Sequence, residues 1–352
     1  MKKIAIISGA RPNLVKILPL CAELKKQRIP YFNVYTGQHF SDKMSAIFFD
    51  EFGIKPDYTL LSSKKSVLKQ FSNIIVGLEK ILLKENPSLV IVVGDVNSTL
   101  AGALVAHKLN LKLAHVEAGL RSYNPKMLEE MNRVITDRLA HILFTSSKSD
   151  IGNLKKEGIV KNIYFVGNIM IDTLKRFSKE IENKKPAEKF YFCTLHRAEN
   201  VDDKKVFTGI LDALEIISRD CKIYFPLHPR TRKMVKHFGL HDRLIKIFTL
   251  IEPLNYKNSL YFQKNAELVL TDSGGVQEES SYLGTPCLTV RTETERPVTL
   301  KCGTNTLAGI SKSSILEAYN QKKLKKLKTK IPLWDGKTSE RIVRILKEQN
   351  YV

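Results

Sequence analysis

Short apolar runs rich in β-branched residues alternate, along nearly the whole chain, with segments whose apolar residues recur at helical spacing. That alternation leaves few architectures open. Strand-sized runs are Ile4–Ser8, Phe32–Thr36, Leu89–Val93, Leu113–Val116, Ile142–Thr145 and Ile163–Val166, followed by Phe190–Thr194, Lys222–Pro226, Ile245–Phe248, Leu268–Thr271 and Cys287–Val290. Between them, Val67–Lys84, Leu100–Lys108 and Val206–Ser218 carry the helical pattern. Strand-helix alternation of this kind builds parallel, doubly wound α/β sheets. At 352 residues the chain is too long for one ordinary domain and suits two Rossmann-like domains. The polar stretch Ser178–Lys189, with Lys184-Lys185-Pro186, reads as their connection. The expected division is residues 1–168, then 169–335, then a C-terminal helix at 336–352. That helix carries Ile342, Val343, Ile345 and Leu346 on one face and is expected to pack back on the first domain. Ligands in such folds sit at the carboxyl ends of strands, and a cleft between two such domains is the default site.

Composition removes several classes. The five cysteines, Cys21, Cys193, Cys221, Cys287 and Cys302, are scattered, with no CxxC pair and no Cys/His cluster at zinc spacing. They read as reduced residues of a cytoplasmic protein, with no metal site. No apolar run is long enough to span a membrane. The formal net charge of +21 admits a nucleic-acid or anionic-membrane partner, but most lysines are dispersed. The cluster Lys322, Lys323, Lys325, Lys326, Lys328 and Lys330 has no interleaved aromatic residues and reads as a solvated helix face or linker. Neither nucleic acid nor membrane is therefore expected as a partner.

Residues able to do chemistry recur where strands end. Leu268–Thr271 runs into Asp272-Ser273-Gly274-Gly275 and then at once into a helical segment. Two glycines at a strand-to-helix turn let the backbone approach a ligand, and the free N–H groups with the helix dipole favour an anion such as phosphate. Glu278 and Glu279 fall in the next turn, where a carboxylate can accept from ribose hydroxyls. Elsewhere Ile4–Ser8 leads to Gly9-Ala10-Arg11-Pro12 with Lys16 a turn further on. Leu89–Val93 leads to Gly94-Asp95, Leu113–Val116 to Glu117, Phe190–Thr194 to His196-Arg197, and Lys222–Pro226 to His228-Pro229-Arg230. Glu129 and Glu130, with Arg133, open another helix. Each feature alone reads more simply as a cap, a surface ion pair or dipole-stabilising acid in a first turn. Capping alone does not explain the set.

These residues carry a resemblance. The chain resembles the non-hydrolysing UDP-N-acetylglucosamine 2-epimerases. The motifs are GARPNLVK at Gly9–Lys16, TGQH at Thr36–His39, GDVNST at Gly94–Thr99, HVEAGLRS at His115–Ser122, EEMNR at Glu129–Arg133 and TLHRAEN at Thr194–Asn200. LHPRT, TDSGGVQEE and TERP at Thr294–Pro297 complete the ordered set. The resemblance implies the two-domain fold of B-type glycosyltransferases, a UDP-sugar substrate, no cofactor, and a homodimer. It implies inversion at C2 by loss of the C2 proton with anti expulsion of UDP, a bound 2-acetamidoglucal, and re-addition of UDP, a reaction that supplies surface-polysaccharide precursors.

By that resemblance Asp95, Glu117 and Glu129 match the acid–base carboxylates, with base and acid left unassigned, and His196 belongs to the same catalytic set. Arg11, His196, Ser273, Gly274 and Gly275 match diphosphate binders, with Lys16 and Arg133 nearby. Glu279 matches the ribose carboxylate, and His228 and Arg296 join the substrate-binding set. Gln38 and His39 match part of a motif that binds a second, activating UDP-sugar. Departures are Asn13 where glutamate is more frequent, Leu128 for proline and Val298 for glutamate. GARP followed by an amide also resembles relatives acting on UDP-2,3-diacetamido-glucuronic acid, and a hydrolysing epimerase that releases N-acetylmannosamine would share most motifs. A basic nucleic-acid-binding protein is the alternative from another class.

Overall fold

The computed structural model describes residues 2–37, 51–60, 66–181, 186–321 and 326–352. Gln38, His39, Lys184, Lys185, Lys322, Lys323 and Lys325 lie outside the described residues. The chain divides into two compact units, Met1–Thr173 with Pro332–Val352, and Leu174–Ile331. The first division falls inside the helix Ile169–Ile181, which runs on past the residue 168 set by pattern alone.

In the first unit the strands are β1 (Ile4–Ser8), β2 (Tyr31–Tyr35), β3 (Tyr58–Thr59), β4 (Leu89–Val93), β5 (Leu113–Val116), β6 (Ile142–Thr145) and β7 (Ile163–Phe165). They form one parallel sheet in the order β3-β2-β1-β4-β5-β6-β7. β1 and β4 are buried along their whole length, as central parallel strands covered on both faces must be. The helix Val67–Glu85 shows how sequence sets local structure. Ser66 caps it by accepting from the Lys69 N–H at 3.2 Å, and Asn86 ends it in the left-handed conformation. Its stripe Ile74, Leu78, Ile81 and Leu82 is buried, each such side chain contributing roughly 1.5–3 kcal/mol.

The C-terminal helix Thr338–Glu348 belongs to this unit. Asp172 accepts from the Thr338 N–H at 3.0 Å and from the Ser339 N–H at 2.7 Å, so a residue 166 positions away supplies the cap. Ile342, Val343 and Leu346 are fully buried.

In the second unit the strands are β8 (Tyr191–Thr194), β9 (Ile223–Pro226), β10 (Thr249–Ile251), β11 (Leu268–Thr271), β12 (Cys287–Thr289) and β13 (Asn305–Leu307). Again the sheet is parallel, in the order β10-β9-β8-β11-β12-β13. Its core gathers Phe207, Ile210, Leu214, Phe225, Leu270 and Leu288. Ile245–Phe248 is not the strand that its apolar run predicts. It closes the helix His241–Ile247, where Leu244 and Ile247 are buried one turn apart while Ile245 is 55% exposed, and the strand begins only at Thr249. β3 and β13, two and three residues long, have no pattern to reveal them. All five cysteines are free, and no helix of the described residues is long and apolar enough to cross a membrane.

Candidate active site

Both sheets reverse strand order at one point, between β1 and β4 in the first unit and between β8 and β11 in the second. A crevice opens at the carboxyl ends of strands where order reverses, and the polar strand ends converge on these two places.

In the first unit, the turn after β1 is held to the turn after β4 by Asn13. Its amide oxygen accepts from the Ala10 N–H at 3.1 Å, and its amide nitrogen donates to the Val93 carbonyl at 2.9 Å. Gly9 is required there, because a Cβ on it would stand 1.9 Å from Ser98 Oγ. Arg11 opens the helix Arg11–Lys26. Lys16, one turn further, reaches Glu117 Oε2 at 2.5 Å, both side chains being buried. Lys16, which the resemblance sets near a diphosphate, pairs in the structure with the Glu117 carboxylate.

Glu117 has φ +72°, a left-handed backbone that costs a non-glycine residue about 1–3 kcal/mol and concentrates at functional sites. Its second oxygen, Oε1, is buried and has no hydrogen-bond partner among the described residues. A carboxylate with one oxygen on a cation and the other vacant can exchange a proton with something placed against it.

Two braces support this strained turn. His115 is fully buried, with Nε2 2.8 Å from the Gly94 carbonyl and Nδ1 2.6 Å from Asp137. Asp137 also accepts from the Gly119 N–H at 3.0 Å and pairs with Arg121 at 2.8 Å. Thus the Asp95 turn and the Glu117 turn hang on one buried ionic chain. Burial alone would push the Asp137 carboxyl up, but His115 and Arg121 outweigh it and hold it below its ordinary range. The second brace is Arg133, which is buried, pairs with Asp95, and lies 3.0 Å from Glu130. Asn132 donates to the Asp95 carbonyl at 2.8 Å.

Glu129 and Glu130 divide. Glu130 accepts from the Ser122 N–H at 2.8 Å, its hydroxyl at 2.9 Å and the Tyr123 N–H at 3.0 Å, so it fastens the loop after β5. The Glu129 carboxylate is half-buried and takes no partner among the described residues.

In the second unit, Ser273 precedes the helix Gly274–Leu283 and provides no side-chain cap. The Ser273 N–H is spent on Thr271 Oγ1 at 3.0 Å. The first helical N–H groups, from Gly274 and Gly275, are left without a side-chain cap, which is the arrangement that accepts an anion. Gly274 is needed for a reason that the motif does not show: a Cβ on it would lie 2.5 Å from Arg296 Nη1. Arg296 is itself buried and paired with Glu295 at 2.8 Å and Glu278 at 2.9 Å. The position offered as a substrate cation thus supports the turn from behind. Glu279 is also buried, with Gln263 Nε2 donating to it at 2.7 Å.

His196 follows β8, and His228 caps the helix Pro229–Phe238 by accepting at Nδ1 from the Arg230 N–H at 3.2 Å. The two imidazole centres are 5.0 Å apart. Asp272, fully buried, accepts from the His196 N–H at 2.9 Å and the Arg197 N–H at 2.8 Å, and its Oδ1 lies 3.1 Å from His196 Nδ1. Burial would raise this carboxyl, yet His196 and the two N–H donors hold it below its ordinary range. Asp272 and His115 both lie inside the motifs TDSGGVQEE and HVEAGLRS. Each acts through a partner that sequence spacing does not reveal. Among the described residues no group of three or more acidic, histidine or cysteine side chains could hold a metal ion.

Buried, braced carboxylates at one switch point and an anion-receiving turn at the other define an enzyme of the nucleotide-sugar epimerase class. A family model described as UDP-N-acetylglucosamine 2-epimerase matches residues 22–347. The UDP-N-acetylglucosamine 2-epimerase of Methanocaldococcus jannaschii is 42% identical over 99% of this chain and 100% of its own length. The crystal structure of the enzyme from that organism, in complex with UDP-GlcNAc and UDP, aligns with TM-score 0.91 over 98% of this chain and 99% of that one. The UDP-2,3-diacetamido-2,3-dideoxy-D-glucuronate 2-epimerase of Pseudomonas aeruginosa is 39% identical over 98% of this chain and 99% of its length. The chain belongs to the UDP-N-acetylglucosamine 2-epimerase family, and it is an isomerase with two Rossmann-like units.

Proposed function

We propose that this chain interconverts UDP-N-acetylglucosamine and UDP-N-acetylmannosamine. The reaction is anti elimination of UDP, a bound 2-acetamidoglucal, and re-addition of UDP after reprotonation on the opposite face. The carrying observation is Glu117, a carboxylate in a strained turn with one oxygen on Lys16 and the other without a hydrogen-bond partner among the described residues. The C2–H bond is a weak acid, and breaking it needs a fixed carboxylate and a stabilised leaving group. Glu117, Asp95 and Glu129 are the acid–base groups of this reading. The Ser273-Gly274-Gly275 turn and His196 receive the diphosphate, and Glu279 receives the ribose. The amide at position 13 does not favour a diacetamido-glucuronate substrate, because both of its ends are spent on the backbone.

Proton NMR of UDP-N-acetylglucosamine incubated with the protein in heavy water tests this reading. Deuterium should enter at C2 as UDP-N-acetylmannosamine appears. Free N-acetylmannosamine with UDP would instead establish a hydrolysing enzyme, and absence of C2 exchange in folded protein would refute the reaction.

A further inference from the structure

We propose that Asp272 is the positioning residue for His196: it keeps the imidazole proton on Nδ1, so that with a diphosphate at Nε2 both nitrogens carry protons and the ring meets the leaving group as a cation. The inference rests on the reading above that His196 faces the diphosphate.

Asp272 follows β11 directly and His196 follows β8, neighbouring strands at the switch point. The two carboxylate oxygens have separate tasks. Oδ2 accepts from the His196 and Arg197 N–H groups and, at 3.2 Å, from Asn200 Nδ2. Those contacts fix the backbone that bears His196. Among the described residues Oδ1 has no well-aligned hydrogen bond; it is fully shielded from solvent, yet stands 3.1 Å from His196 Nδ1. A buried anionic oxygen at that distance favours a proton on the facing nitrogen and stabilises a positive ring. The imidazole is one-third exposed, and its Nε2 has no partner among the described residues, so that nitrogen is available to ligand. His228, the neighbouring ring, accepts through Nδ1 from a backbone N–H. That contact leaves the hydrogen of neutral His228 on Nε2, so the two rings hold opposite tautomers. In a phosphate-expelling step, a cation aimed at the developing charge contributes more than a neutral donor.

Asp272→Asn is the discriminating variant. Its amide oxygen can keep every contact that Oδ2 makes, while its amide nitrogen replaces Oδ1 and donates to Nδ1. The imidazole must then accept at Nδ1 and carry its one proton on Nε2, a tautomer reversal of the kind known to disable aspartate–histidine pairs. The Nε2–H of the variant still donates to the diphosphate, but from a neutral ring, so UDP affinity should fall about 10-fold, the difference between a cationic and a neutral donor, with uridine affinity unchanged. Nitrogen-15 shifts of the His196 ring in UDP-bound wild type should show both nitrogens protonated, and only Nε2 in the variant. In a His196→Gln background Asp272→Asn should add less than about a twofold loss, since the aspartate acts through the ring. An equal loss in both backgrounds, or an unprotonated Nδ1 in the wild-type complex, would overturn the proposal. If His196→Gln alone bound UDP like wild type, the assignment of His196 to the diphosphate would fail, and with it the diphosphate half of this inference. The nitrogen-15 measurement on ligand-free protein would still decide whether Asp272 sets the tautomer.

Discussion

Glu129 and Glu130 are adjacent in sequence and opposite in fate. Glu130 gives its carboxylate to the Ser122-Tyr123 loop and to Arg133, whereas the Glu129 carboxylate is half-buried with no partner among the described residues. The resemblance singles out Glu129, but residue pattern alone cannot divide the pair, because the task of Glu130 depends on a loop seven and eight residues upstream. Glu129→Gln should leave the unfolding midpoint near wild type and cut C2 exchange by roughly 10²–10⁴-fold, the usual loss for an acid–base group. Glu130→Gln should do the reverse in kind: its main effect is a lower midpoint, because buried N–H donors lose a charged acceptor. Thermal unfolding and C2 exchange measured on both variants decide it. Near-normal exchange in folded Glu129→Gln protein would remove that residue from the acid–base set.

The sheets were the most legible elements, and the reason is physical. Central parallel strands are buried on both faces, so β1, β4 and β11 announce themselves as largely apolar runs followed by a glycine or an acid. Edge strands lack that signature, hence the silence over β3 and β13. Ile245–Phe248 misled because a single turn of helix and a short strand look alike over four positions, three of them apolar here. What lies behind the strand ends was least legible. His115 and Asp137 are 22 residues apart, and His196 and Asp272 are 76 apart. The His115–Asp137–Arg121 chain makes its own prediction. Asp137 is held below its unfolded value of 3.8 in the folded state. Its stabilisation is therefore fully present above that value and is lost as pH falls through the lower folded value. Asp137→Asn should cost about 3–5 kcal/mol at neutral pH, since a buried pair loses one charge. The gap in urea midpoint between variant and wild type should narrow on acidification below 3.8. A gap that stays constant to lower pH would show that Asp137 acts by packing alone.

At the scale of the whole molecule the outstanding quantity is charge. A formal net charge of +21 is spread over lysines distributed along the chain, and among the described residues the lysine–ring contacts, Lys84 on Tyr58, Lys222 on Tyr224 and Lys257 on Phe177, are separate pairs rather than the run of rings that a base-stacking surface uses. Its consequence under the proposed function is a positive field acting on an anionic nucleotide. Such a field raises encounter rates on the order of tenfold or more at low salt and is screened once the Debye length falls to about 10 Å, near 0.1 M salt. The association rate of UDP should accordingly drop as salt is raised from about 0.02 to 0.5 M, while uncharged uridine should bind at a rate that hardly changes. The dissociation rate of UDP should move much less, because the helix N-terminus and His196 act at contact distance, where screening is weak. A nucleic-acid-binding protein would behave differently: its affinity for RNA would fall with a steep power of salt concentration, and RNA at near-physiological salt would compete with the UDP-sugar. Stopped-flow binding of UDP and uridine across a salt series, with C2 exchange followed in the presence of excess RNA, separates the two. A UDP association rate indifferent to salt would mean that the charge serves solubility alone. Strong inhibition by RNA at 0.15 M salt would return nucleic acid to the list of partners.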